Sequence, residues 1–242
     1  MTPPSLPARP TKRKGTPVAK RAAQAKTEEP KSLLQIVDVV QGSSDWFEAR
    51  LGIPSASNFS AIMAEGRDGG PSLTRRDYLY RLAGEIITGI PAEETFKSRA
   101  MERGKEMEPE AIAHYEEQKK VKVDRVGLGI YFSGLKRCCA SPDGLVGFNG
   151  GLETKTMRPD LMIPLLERSA AMPGDHRAQV MGNILVFEAD WWDFKIFYPR
   201  MPDFTVRVFR DAVYIRQLHE QIEIFNYDLK KLVEKLRKRG AS

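Results

Sequence analysis

Long apolar runs are missing from this 242-residue sequence. No uninterrupted stretch approaches the roughly 18 residues needed to cross a bilayer, and no apolar signal core follows the basic residues near its start. The expectation is a cytoplasmic protein with no membrane partner. Cysteine is scarce as well. The two present, Cys138 and Cys139, are adjacent, a spacing that disfavours a mutual disulfide, and with no CxxC pair and three histidines a zinc cluster is not expected. Both thiols are expected to pack inside. An excess of one charge is also largely missing from the body of the chain. The net charge is +6, yet residues 1–30 hold seven Lys/Arg against Glu28 and Glu29 and so carry five of those six charges. Composition therefore does not establish a nucleic-acid surface on the folded part.

What is present suffices for one well-packed domain of roughly 200 residues, since 41% of the chain is hydrophobic and 29% charged. Residues 1–30 are rich in Pro, Thr, Ala and Lys and poor in aliphatic and aromatic side chains. They are expected to form a disordered basic tail, either merely solvated or a non-specific DNA tether, with residues 31–242 as a single domain. Helices are expected over Ser43–Leu51, Ser55–Ala64, Leu73–Thr88 and Lys97–Lys119, the third ending at Gly89 and Pro91. A small sheet is expected from Val121–Val126, Gly129–Phe132, Arg137–Ala140, Leu145–Phe148 and Leu152–Thr156, short β-type runs separated by Gly, Pro and Asp. A helix over His176–Glu188, strands over Trp191–Tyr198 and Thr205–Phe209, and a helix over Val213–Lys238 complete the order. This order predicts an α+β core, a mixed sheet flanked by helices.

The strongest local signal is Ser141-Pro142-Asp143-Gly144-Leu145, followed ten residues after the aspartate by Glu153-Thr154-Lys155. Residues i and i+2 of a strand share a face, so Glu153 and Lys155 project together while Thr154 points away. If the strand after Asp143 pairs beside them as a hairpin, two carboxylates and one ammonium converge. Paired carboxylates bind a hard cation such as Mg²⁺ through oxygen. Such an ion acidifies a bound water and stabilises charge on an attacked phosphate, and a lysine orients or deprotonates that water. A Glu-x-Lys tripeptide by itself is usually a solvated cross-strand pair, and Pro-Asp-Gly is an ordinary turn; the combination at this spacing carries the chemistry.

Five ordered stretches add to this. Gln41-Gly-Ser-Ser-Asp-Trp46-Phe-Glu-Ala-Arg50-Leu-Gly-Ile-Pro-Ser-Ala-Ser57, Arg103-Gly-Lys-Glu-Met-Glu108, the Asp143 and Glu153 segments, His176-Arg-Ala-Gln179-Val, and Trp192-Asp-Phe to Tyr198-Pro-Arg200 resemble, over about Gln41 to Arg200, the motifs of the lambda exonuclease and YqaJ-type viral recombinase nucleases. The resemblance implies a PD-(D/E)xK restriction-endonuclease-like α/β/α core. It also implies a Mg²⁺-dependent exonuclease, with Mn²⁺ as a substitute, that degrades double-stranded DNA 5′ to 3′ and leaves 3′ single-stranded overhangs for recombination. Asp143, Glu153, Lys155 and Gln179 would be catalytic. Glu108, Asp143, Glu153 and the carbonyl of Thr154 would hold two metal ions. Arg50 and Ser57 would bind the 5′-terminal phosphate, Ser57 sitting early in its helix, where free backbone N–H groups favour an anion. A homotrimeric ring, a single-strand annealing protein as partner and a phage or prophage origin are further implications.

Plainer roles stand beside these. Glu108 lies on a charged helix, Arg50 fits a surface salt bridge, Ser57 fits a helix cap, and Gln179 fits an amphipathic helix. His176 is read as structural, and Trp46, Trp191 and Trp192 as packing. Thr154 departs from the family pattern, which favours an aliphatic residue; this matters little if only its carbonyl is used. The same core also suits a restriction-like or nicking endonuclease, or a DNA-binding protein without catalysis.

Overall fold

The computed structural model describes residues 33–240 apart from residue 68, residues 93–98 and residues 169–170. The basic segment 1–30 and the first two residues of the helix expected from Lys97 lie outside the described residues. The chain begins with β1 (Leu33–Val37), α1 (Ser44–Ala49), a single 3₁₀ turn (Ala56–Asn58), α2 (Phe59–Met63), α3 (Leu73–Thr88) and α4 (Arg99–Lys119). Five strands follow: β2 (Val123–Asp124), β3 (Leu128–Ser133), β4 (Lys136–Ala140), β5 (Gly144–Val146) and β6 (Gly150–Thr156). Then come α5 (Pro159–Glu167), a turn at Gly174–His176, α6 (Arg177–Val186), β7 (Trp191–Phe197), β8 (Phe204–Phe209) and α7 (Ala212–Gly240).

The α+β architecture expected from the sequence is present, with one difference: the strands divide between two sheets. β1, β3 and β4 form an antiparallel sheet, and the other five form a mixed sheet in the order β2-β5-β6-β7-β8. The division falls at Ser141-Pro142-Asp143, between β4 and β5. Proline donates no ladder hydrogen bond, so this is where the chain leaves one sheet for the other. Within the mixed sheet β6 and β7 run parallel, Thr154 beside Lys195, and the remaining pairs are antiparallel.

β7 is buried on both faces, and its alternation assigns each face to a layer. Trp192, Phe194 and Ile196 enter the main core with α6 and α7. Trp191 packs with Ile112 and Tyr115 of α4 and with Leu152 of β6, and on the same face Tyr115 Oη donates to Asp193 at 2.7 Å. Lys195, fully buried on that face, pairs with Asp203. The two tryptophans fit against β6 because its first residues are glycines. A Cβ on Gly151 would lie 2.3 Å from the Trp192 ring.

Four details depart from the sequence expectation. β1 and α5 were not expected. β1 is a five-residue strand whose partner, β3, lies some 95 residues on, with Leu33 opposite Phe132, a long-range pairing that local pattern does not reveal. α5 opens on Pro159 at its first position and buries only Met162, a weak periodic signal. The run Val121–Val126 pairs over two residues only. The helix expected over Ser55–Ala64 is a 3₁₀ turn followed by the five residues of α2. Cys138 and Cys139 are free and buried, as expected, and burial pushes the Cys139 thiol up to about 12. Among the described residues no helix is long and apolar enough to cross a membrane.

Candidate active site

Asp143 immediately precedes β5, which pairs antiparallel with β6, Gly144 opposite Leu152. That register brings Asp143 beside Glu153, the hairpin arrangement anticipated from the spacing. Lys155, two residues along β6, reaches Glu153 Oε1 at 2.5 Å. Glu153 is 2% exposed, and a buried polar group costs free energy unless hydrogen-bond donors meet it. Among the described residues three donors meet it: besides Lys155, Gln179 Nε2 donates to Oε1 at 2.6 Å and Asn183 Nδ2 donates to Oε2 at 2.9 Å. Gln179 and Asn183 are one helical turn apart on α6, so their amides descend on the same carboxylate. Asn183 was not singled out in the sequence; its i+4 spacing from Gln179 was the available signal.

Asp143 is held differently. Its Oδ2 accepts from the backbone N–H of Thr154 at 2.5 Å and from the Thr154 hydroxyl at 2.7 Å. The threonine side chain thus does not merely point away from the site, as strand alternation alone suggested, but grips the aspartate. Burial, and then the neighbouring Glu153, push the Asp143 carboxyl up to about 7, while Lys155 and the two Thr154 donors pull the other way. Burial acts to discharge the Lys155 ammonium, yet Glu153 and Asp143 hold its pKa above the ordinary lysine value. Glu108 reaches the site from α4. Its Oε1 is held by Arg125 at 2.7 Å, and its carboxyl is raised by burial and by Asp143.

The donors suit a hard cation. Two carboxylates repelling each other in a buried setting are relieved by a divalent ion between them. Asp143 Oδ1 accepts no hydrogen bond among the described residues, because both Thr154 donors fall on Oδ2. Among the described residues no three acidic, histidine or cysteine side chains already stand at metal-holding spacing. Glu108 therefore shares the cleft with the carboxylate pair without completing a three-carboxylate cluster.

A second group lies across the same cleft. Arg50 stacks on the Trp46 ring, 4.2 Å from its centroid, and its Nη2 donates to Ser55 Oγ at 2.9 Å. The Ser57 hydroxyl is 3.2 Å from that of Ser55. Trp46 is more than packing, because its Nε1 also donates to Ser141 Oγ at 2.6 Å, tying α1 to the segment that carries Asp143. Ser57 lies inside a three-residue turn, too short to offer a helix N-terminus, so the group it presents is its hydroxyl. Arg50 forms no salt bridge among the described residues, contrary to its plainer reading. All eight residues assigned from the sequence line one cleft of about 360 Å³. His176, left outside that set, packs its ring on Phe194 at 4.9 Å.

The two halves of the cleft are fixed to each other by α6. Gly182 approaches the Ala56–Asn58 turn so closely that a Cβ there would lie 2.5 Å from the Phe59 ring and 3.0 Å from Ala56 Cβ. The helix that carries Gln179 and Asn183 is thereby locked to the turn that carries Ser57.

Residues 45–190 match the family model of the YqaJ-like viral recombinase domain. Among solved structures, an alkaline exonuclease (LHK-Exo) from Laribacter hongkongensis is 28% identical with a TM-score of 0.72, covering 82% of this chain and 98% of that one. The same enzyme in complex with dAMP gives 28% identity and a TM-score of 0.73 over the same shares. A phage related exonuclease from Haemophilus somnus 129PT shares the fold at 14% identity, with a TM-score of 0.57 over 76% of this chain and 96% of that one. No curated protein sequence matches the chain.

Proposed function

The chain belongs to the YqaJ-like viral recombinase domain family, and we propose that it is a metal-dependent exonuclease that degrades one strand of duplex DNA from a 5′-phosphorylated end. The observation that carries this reading is the pairing, in one cleft, of a lysine-backed carboxylate pair with an arginine that has no counter-ion among the described residues. The first suits phosphodiester hydrolysis, and the second suits an anionic strand end. The alkaline exonuclease that this chain resembles points the same way.

A bound Mg²⁺, or Mn²⁺ in its place, would supply an acidified water and neutralise charge at the phosphate. Asp143, Glu153 and the Thr154 carbonyl would hold it, with Glu108 beside a second position. Lys155, kept charged by its two acidic neighbours, donates to the attacking water and to the charge gathering on the phosphate oxygens. Gln179 and Asn183 keep Glu153 aimed along β6. Arg50 and Ser57 bind the terminal phosphate and so place the next phosphodiester over the carboxylates. Water adds at phosphorus and the P–O3′ bond breaks, releasing a 5′-mononucleotide. The new end again carries a 5′-phosphate, which returns to Arg50 and Ser57.

In this reading the product is a 3′ single-stranded overhang handed to a single-strand annealing protein, in the cytoplasm of a cell carrying a phage or prophage. The enzyme acts as a homotrimeric ring around DNA. The test is digestion of linear and closed circular duplexes with Mg²⁺ and with chelator. Mononucleotide release from linear duplex alone, abolished by chelator, is expected; cleavage of closed circles would overturn the exonuclease reading in favour of an endonuclease.

A further inference from the structure

Beyond Arg50 the cleft continues into a smaller recess of about 150 Å³ that shares Phe47, Arg50 and Ser57 with it. That volume is below the roughly 300 Å³ at which small-molecule pockets begin, so it suits a phosphate group rather than a nucleoside. Its lining includes a second guanidinium, that of Arg81 on α3. Arg81 stacks over Tyr78, one turn earlier on the same helix, 4.8 Å from the ring centroid, and its Nη2 donates to Asn58 Oδ1 at 3.0 Å. Asn58 Nδ2 in turn donates to Ser55 Oγ at 3.1 Å and to Ser57 Oγ at 3.2 Å. Tyr78 Oη accepts from the backbone N–H of Ser55 at 2.9 Å.

The two arginines are therefore built alike. Each lies on an aromatic face, which fixes the guanidinium plane, and among the described residues each is tethered by one hydrogen bond, to the Ser55–Asn58 turn, which leaves other N–H groups unengaged. Neither forms an ion pair among the described residues. Among the described residues the one carboxylate on the recess wall, Glu85, is committed to backbone: Oε2 accepts from Gly52 N at 2.8 Å and Oε1 from Ala92 N at 3.3 Å.

We propose that Arg81 and Asn58 form the second wall of the strand-end site, so that a terminal phosphate monoester sits between two guanidiniums, and that Arg81 determines selection of phosphorylated ends. This rests on the end-recognition reading above. The chemistry follows from charge: a monoester carries about −1.5 to −2 at neutral pH, whereas a diester within the strand carries about −1. One arginine matches either, and a pair of them favours the dianion of a free end.

The experiment measures kcat/KM of the full chain on linear duplexes with 5′-phosphate or 5′-hydroxyl ends and reads their ratio. Arg81→Gln is expected to lower the ratio by about tenfold or more, and Arg81→Lys, which keeps the charge but not the fork, to lower it less. An equal loss on both kinds of end, as from a purely structural role, overturns the proposal. A ratio that falls in Arg50→Gln but not in Arg81→Gln overturns it alone, leaving end recognition standing. A wild-type ratio of one overturns both.

Discussion

The hydroxyl of Thr154 donates to Asp143 Oδ2 at 2.7 Å, on the same oxygen that receives the Thr154 backbone N–H. One residue thus clamps one carboxylate oxygen with two donors and leaves the other facing the cleft. Replacing Thr154 with Val keeps the shape and the backbone donor but removes the hydroxyl. Groups that orient a metal-binding carboxylate typically matter by about 10- to 100-fold. Thr154→Val is expected to raise the Mg²⁺ concentration at half-maximal rate by about tenfold, and Thr154→Ser to restore it. Calorimetric titration of Mn²⁺ should show the same order without turnover.

Lys155→Ala is expected to lower kcat by about two to four orders of magnitude, the usual worth of a positioned proton-handling group. DNA binding, followed by gel shift with Ca²⁺ in place of Mg²⁺, should change only a few-fold, because Arg50 and the recess beyond it remain. A Lys155→Ala enzyme with ordinary turnover would refute the role given to this side chain.

Asn183→Leu leaves Glu153 Oε2 without its donor in a site where Glu153 is 2% exposed. A buried carboxylate deprived of one hydrogen bond costs about 1–3 kcal/mol, and chemical denaturation at pH 8 should show a loss of that size. Asn183→Asp places a second carboxylate there and should be worse at pH 8 than at pH 5.

The Asp143 carboxyl, raised from 3.8 to about 7, gives the metal-free protein a pH signature. Between those values the folded state holds the proton more tightly than the unfolded chain, so this contribution to stability is full below about pH 4 and is lost as pH rises through about 7. Its size is on the order of a few kcal/mol. Lys155, held above its ordinary value, stays charged throughout this window. Thermal unfolding in chelator should show wild type losing stability from pH 5 to 8 relative to Asp143→Asn, and excess Mg²⁺ should remove the difference. Parallel curves for the two proteins in chelator would count against the raised carboxyl.

The site was legible wherever it depends on short-range periodicity. Glu153 and Lys155 share a face because strand residues alternate, and a Pro-Asp-Gly turn ten residues earlier sets up the hairpin. The remainder depends on contacts that no local pattern encodes. The bond from Trp46 to Ser141 spans 95 residues, the strand β1 exists through its pairing with β3, and the two-sheet division rests on which partners β4 and β5 find. Strand alternation points the Thr154 side chain away from Glu153 and Lys155 and does not encode the bond from its hydroxyl to Asp143. Arg81 was hidden within an ordinary amphipathic helix.

The tight seat of Gly182 against Phe59 and Ala56 makes α6 a ruler. The turn that carries Ser57 and the helix that carries Gln179 and Asn183 are parts of the chain that touch through this glycine. In the proposed reaction the bite size is then a fixed dimension of the fold, and each cycle advances the enzyme by the same increment whatever bases it meets.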